Sequence, residues 1–156
     1  MVGCTNMPKL NIPVPSLNKV VRIVCLYKQK IWLCGRWGKN DHEAGKVDIP
    51  CEAEMRLRET IDKCIGRAFS RVHGADLKSL RFCMKYMYER MGERRLVYLF
   101  LINADKEPDV TAGTGKPWTI GQIESNLGLN YFSDYFEYEF PHLRMLVDVW
   151  KKYGGG

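Results

Sequence analysis

Apolar stretches of two different periods divide the chain into a short series of elements. From Lys19 to Tyr27 the run KVVRIVCLY is β-branched and apolar, and Lys30 to Trp37, KIWLCGRW, has the same character. Two such runs separated only by Lys28-Gln29 predict a β-hairpin. Gly38 to Gly45 is polar and bounded by glycine, as a loop is, and Lys46 to Ile49 reads as a short strand ended by Pro50. The period then changes. Between Glu52 and Phe69 the residues Ala53, Leu57, Ile61, Cys64 and Ala68 recur at four- and three-residue steps, which predicts an amphipathic helix over 52–69 laid on a sheet.

Arg81 to Met91 and Arg94 to Ala104 are apolar or alternating and meet at Gly92-Glu93, a second hairpin. Asp105 to Lys116, with Pro108, Gly113 and Gly115, predicts a loop. Trp118 to Leu127 and Asp134 to Tyr153 carry helical signals, the latter interrupted by Pro141. Pro8, Pro13 and Pro15 make residues 1–18 an extended arm, 19–153 the domain, and Gly154 to Gly156 a flexible tail. Antiparallel hairpins crossed by a helix and followed by two more imply an α/β (α+β) fold, an α-β-α sandwich around a mixed sheet.

Composition narrows this little. The chain has 156 residues, 46% hydrophobic and 27% charged, which suits one folded core rather than disorder. No apolar run approaches the roughly 18 residues a membrane helix needs, and the first residues lack the form of a secretory signal. The expectation is a cytoplasmic protein with no membrane partner. Six cysteines lie without C-x-x-C pairing, several inside apolar patterns, and read as reduced core thiols; Cys34, His42, Cys51 and Cys64 match no zinc-site spacing.

Charge is unevenly spread. Residues 1–103 hold 19 Lys/Arg against 10 Asp/Glu, whereas 104–156 hold 5 against 8. A basic amino-terminal two-thirds suits a phosphate-bearing ligand, and equally a solvated surface. Nucleic acid ranks last among partners, because the sequence carries no helix-turn-helix, zinc-finger or stacking-platform signature. A homodimer is left open.

On a helix turning about 100° per residue, Glu52, Glu59 and Asp62 share an arc of roughly 80° away from Leu57 and Ile61. Three carboxylates on one face are the oxygen donors that Mg²⁺ or Mn²⁺ takes, with substrate phosphates completing the shell. The bland alternative is also available: Glu59 and Lys63 form an i,i+4 pair, and Glu52 suits a helix start.

The succession of hairpin, loop, Ala44-Gly45-Lys46-Val47-Asp48, helix with Arg58-Glu59-Thr60-Ile61-Asp62-Lys63, and hairpin resembles the Nudix hydrolase superfamily, whose box reads G-x5-E-x7-R-E-U-x-E-E-x-G-U with U aliphatic. Pro117 to Phe140, PWTIGQIESNLGLNYFSDYFEYEF, is similar to the tail of one Nudix subset. The resemblance implies metal-activated water attacking a nucleoside diphosphate linkage, with Glu59 and Asp62 as ligands or base, Arg58 orienting Glu59, and Glu52 as a further ligand in shifted register.

The box is degenerate in this chain. Cys51 falls where the first glutamate belongs, Lys63 where the third core acid belongs, and Gly66 stands one place late behind Ile65. A cation at a ligand position opposes a divalent ion by several kcal/mol at about 4 Å and an effective dielectric near 20. Glu89, Glu93 or the 105–109 segment are the candidates for a replacement carboxylate. The alternative expectation is therefore a catalytically inactive Nudix-like module that binds a nucleotide-like ligand or a partner protein. Arg36 and Lys46 would then hold phosphate, with Trp37 or Tyr98 holding a ring.

Overall fold

The computed structural model describes residues 17–36, 42–70, 72–75, 77–90, 92–110 and 115–152. Trp37, most of the predicted arm, the start of the first loop and the glycine tail lie outside the described residues. Strand β1 (Leu17–Tyr27) turns into β2 (Lys30–Gly35), followed by β3 (Val47–Asp48), β4 (Cys51–Glu54), α1 (Ile61–Phe69) and β5 (Val72–Ala75). A 3-10 turn at Leu77–Ser79 leads to β6 (Arg81–Arg90), β7 (Glu93–Val110), β8 (Lys116–Trp118), α2 (Ile120–Glu124) and α3 (Asp134–Lys152). The fold is mixed α+β, as the element order implies.

The sheet is organised about β1. It pairs in parallel with β7 from Leu17↔Arg94 to Leu26↔Asn103, and antiparallel with β2 at one end and β4 at the other. β6 and β5 both pair antiparallel with β7, and β8 pairs with β2. Alternation along β1 builds two cores: Val21, Ile23 and Cys25 face α1, while Val24 and Leu26 face the layer holding α2 and α3. α3 supplies Phe136, Phe140, Leu143 and Val147 to that second core, at the spacing one helix face requires. Among the described residues, no helix is long and apolar enough to cross a membrane.

The helix predicted over 52–69 is half its expected length. Residues Cys51–Glu54 form a strand on β1, with Arg22↔Glu52 and Val20↔Glu54 in register. Alternation decides this: Cys51 and Ala53 are buried against α1 while Glu52 and Glu54 point the other way. Leu57, counted as a helix core position, is 93% exposed, and Arg58 sits at φ 63°, a left-handed conformation that ends any helix running into it. The helix starts only after Thr60, whose hydroxyl accepts from Lys63 N–H.

Three other boundaries move. β7 continues through the predicted loop to Val110, because β5 gives its extension partners at Ala75↔Ala104 and Val72↔Val110. Lys116–Trp118 is strand rather than helix, and α2 begins at Ile120 behind a Thr119–Gln122 capping box. Pro141 does not interrupt α3; it lies on the exposed side, where water can serve the carbonyl its ring leaves without an N–H.

Candidate functional site

Strand parity separates the carboxylates that the sequence placed together. Glu52 stands on the α3 side of the sheet, whereas Glu59 and Asp62 stay with α1 on the other side, so the sheet lies between them. Glu59 is closed by its own helix: Arg67 Nε lies 2.7 Å from its Oε2 and Arg67 Nη2 2.6 Å from its Oε1. Arg56 N–H adds a bond of 3.1 Å. These bonds, the Arg67 pair foremost, hold the Glu59 carboxyl down to about 2. Arg58, the expected orienting residue, is exposed and is not among the donors to Glu59, and Asp62 and Lys63 both face solvent. Among the described residues, no three His, Cys, Asp or Glu side chains come together as a metal ion would require. This donor set does not fit Mg²⁺ or Mn²⁺ in the manner the resemblance implies.

The charged groups that do converge are on the α3 side, and sequence reasoning missed most of them. Arg22, fully buried in the middle of β1, donates Nε to Glu139 at 2.8 Å, Nη2 to Asp48 at 2.6 Å and Nη1 to Glu52 at 2.9 Å. Arg36 donates to Asp48 at 2.7 Å and to Glu52 at 3.0 Å, and Tyr86 donates its hydroxyl to Glu139 at 2.7 Å. Tyr135 offers its ring to Arg22, Arg36 and Arg95, at 5.1, 5.3 and 5.7 Å from the centroid. Strands β1, β3, β4 and β6 and helix α3 are thereby tied at one point.

Burial and charge pull the two innermost carboxyls in opposite directions. Desolvation, the largest effect at Asp48, would raise it, but Arg22 and then Arg36 hold it below the ordinary value. At Glu139 burial wins and the carboxyl is raised despite Arg22. The only sequence signals were an arginine inside the apolar run VVRIVC and the acid Glu139 within FEYEF. Nothing local links two residues 117 positions apart.

Arg36, proposed for phosphate, is thus an internal member of this network. Lys46 is paired with buried Glu43 at 3.1 Å; Glu43 also meets Arg90, which reaches Asp134 at 3.0 Å. The ring candidate Tyr98 is on the α1 side, opposite Lys46 and Arg36 in the sheet. Cys25, Cys34, Cys51 and Cys64 are buried, as expected of core thiols, and Cys83 is half-buried.

A cavity of about 270 Å³ opens beside Lys46's neighbour Val47, lined by Leu33, Gly35, Lys116, Trp118 and Tyr131 among others. Lys116 Nζ stands 4.8 Å from the Trp118 ring centroid, and Tyr131 lies 5.7 Å from Trp118, tilted by 50°. Trp118 Nε1 is a buried donor without a hydrogen-bond partner among the described residues. Gly115 is required at the rim, since a Cβ there would fall 2.2 Å from Trp32 Nε1.

The fold defined by this sheet and its helices is that of the Nudix hydrolases. The chain superposes on a MutT protein from Methanosarcina mazei with a TM-score of 0.65 at 13% identity, covering 85% of this chain and 96% of that one. A Nudix hydrolase from Nitrosomonas europaea gives 0.63 at 14%, covering 83% and 90%. An Ap4A hydrolase from C. elegans gives 0.57 at 12%, covering 84% and 98%. No protein-family model matches the sequence, and no curated protein does. At these identities the shared property is the fold.

Proposed function

We propose that the chain is a Nudix-fold binding module for a small phosphorylated ligand that carries a ring, and not a metal-dependent hydrolase. The observation that carries this reading is the closed Glu59: both of its oxygens are engaged by the Arg67 guanidinium, so its charge is already matched by a cation and a divalent ion would have to displace or crowd that guanidinium. Freeing it would cost a two-point charge-assisted contact, and Lys63 stands in the turn where further acidic charge would be needed.

The cavity lined by Trp118, Tyr131 and Lys116 suits the ligand. Its volume, just under the roughly 300–1,000 Å³ of ordinary ligand pockets, accepts one ring system. Trp118 and Tyr131 supply aromatic faces and Lys116 a charge for phosphate.

Calorimetric titration with nucleoside monophosphates, nucleotide sugars and dinucleotides, in EDTA and again with Mg²⁺, tests it. Binding is expected to persist in EDTA and to weaken in Lys116→Glu and Tyr131→Ala. The other reading, hydrolysis of a diphosphate-linked compound, is supported by the box resemblance around Arg58-Glu59 and by the names of the structural neighbours. Turnover that needs Mg²⁺ or Mn²⁺ and disappears in Glu59→Gln would establish it and overturn ours.

A further inference from the structure

On the α1 side of the sheet, helix α1 packs over β1 and β4 and its buried layer extends to Phe100 and Ile102 of β7, while β6 and the residues Leu96 and Tyr98 beside it stay partly open. In-register pairing puts Phe82 beside Phe100, Lys85 beside Tyr98 and Met87 beside Leu96, all on that face. Phe82 is 58% exposed and Met87 41%, unusual for large apolar residues in the body of a strand, and Tyr98 and Leu96 are half-buried. The β6 ladder shifts register between Phe82 and Met84, and Phe82, Lys85 and Met87 are the residues it leaves open on this face.

Its charges are mostly positive. Lys85 stands 5.9 Å over the Tyr98 ring, and exposed Lys19 pairs with Leu96 from the other side of β7. Met55 N–H bonds Lys19 C=O, so the segment leaving that point carries exposed Arg56 and Arg58, with Leu57 between them, from the same end of β1. Glu89 is the acid on this part of β6, and Arg94 engages it at 3.2 Å.

We infer that this face binds single-stranded nucleic acid. Phe82, mostly exposed and set against Phe100 in a T-shaped pair at 5.6 Å, and Tyr98, two residues from Phe100 along β7, put two rings along the path of an extended strand of unstacked bases. Every base presents a ring face, which makes such a platform tolerant of sequence, while Lys85 and Lys19 border the track a phosphate backbone would take. A duplex hides its base faces and fits poorly. An acidic peptide would satisfy the cations but offer the two rings no base to stack on, so nucleic acid is favoured. The inference is independent of the ligand cavity, which lies on the other side of the sheet.

Fluorescence anisotropy of the full chain with a labelled oligo(U) strand of about 12 nucleotides, a length within the usual site size of such platforms, is the test. Binding is expected to weaken as salt rises, and to fall by about tenfold or more in each of Phe82→Ala and Tyr98→Ala. Phe82→Trp is expected to retain it, and Lys85→Glu to weaken it without loss of fold by circular dichroism. Phe82 is exposed, so its variants are expected to fold. Absence of binding at low salt, affinity indifferent to both aromatic substitutions, or equal competition by polyglutamate would each overturn the inference. So would a dimer in sedimentation that Phe82→Ala dissolves while RNA binding is absent, since the face would then belong to a second copy. Ligand binding at the Trp118 cavity is expected to be unchanged in the Phe82 variants.

Discussion

Glu59 and Arg67 form a two-point ion pair across two turns of chain, with both carboxylate oxygens taken at 2.6 and 2.7 Å. The pair joins the loop that leads into α1 to the last turn of that helix, and the same guanidinium reaches Glu54 C=O at 2.6 Å. It closes the short helix on itself at the position where the Nudix resemblance placed catalytic metal.

The pair makes stability depend on pH with a definite sign. A carboxyl held at about 2, below its ordinary 4.5, contributes stability that is present above about 4.5 and is lost as pH falls from there through about 2. Asp48, also held low, acts in the same direction, while the raised Glu139 takes up its proton in the folded state first and offsets part of the loss. Thermal melting between pH 7 and pH 2 is expected to show a steeper acid decline in the natural sequence than in Glu59→Gln, which starts lower. Parallel curves would mean the pair contributes nothing.

Arg22 reaches three carboxylates, two of them fully buried. Replacing it with Met leaves Glu139 uncompensated, and urea denaturation at pH 7 is expected to register a loss of about 3–5 kcal/mol. Adding Glu139→Leu to that variant is expected to recover part of the loss, because Asp48 still has Arg36. A double variant worse than the single one would show that Glu139 has partners beyond Arg22 and Tyr86 that matter more.

The first hairpin turns on Lys28 at φ 48° and Gln29 at φ 63°, the left-handed pair that a two-residue turn of matching twist demands, with no glycine to adopt it. Gln29→Gly is expected to raise stability by a few tenths to about 1 kcal/mol in the same denaturation assay. A decrease would show that the Gln29 side chain holds something the backbone strain conceals.

Gly115→Ala forces a methyl group against the Trp32 indole, a rigid ring rather than a flexible chain end. Overpacking of this kind costs about 1–3 kcal/mol, and the displaced segment is expected to narrow the cavity at Lys116 and weaken nucleotide binding. Unchanged affinity with a normal melting temperature would place the ligand elsewhere.

Much of this fold was legible because its core follows short-range periods. Val21, Ile23 and Cys25 alternate with Val24 and Leu26 as β1 requires, and the hairpins and α3 show in their own segments. Residues 51–54 misled, because Ala53 fits a helical step as well as a strand alternation, and only pairing with Val20 to Ile23 decides between them. The site was less legible for the same reason. Whether Glu52 and Glu59 share a face depends on where strand ends and helix begins, and a shift of a few residues put the sheet between them. The partners of Arg22 come from three elements, and the aromatic face around Phe82 and Tyr98 is assembled from two strands by register alone. No window of sequence contains either.

The central claim is that the Nudix fold persists here while its metal-holding face is closed, and Mn²⁺ titration followed by the paramagnetic resonance of the free ion tests it most directly. The account predicts a free-ion signal that grows in proportion to added Mn²⁺ and is the same for the natural chain and for Glu59→Gln. Stoichiometric loss of that signal in the natural chain, restored by Glu59→Gln, would contradict it.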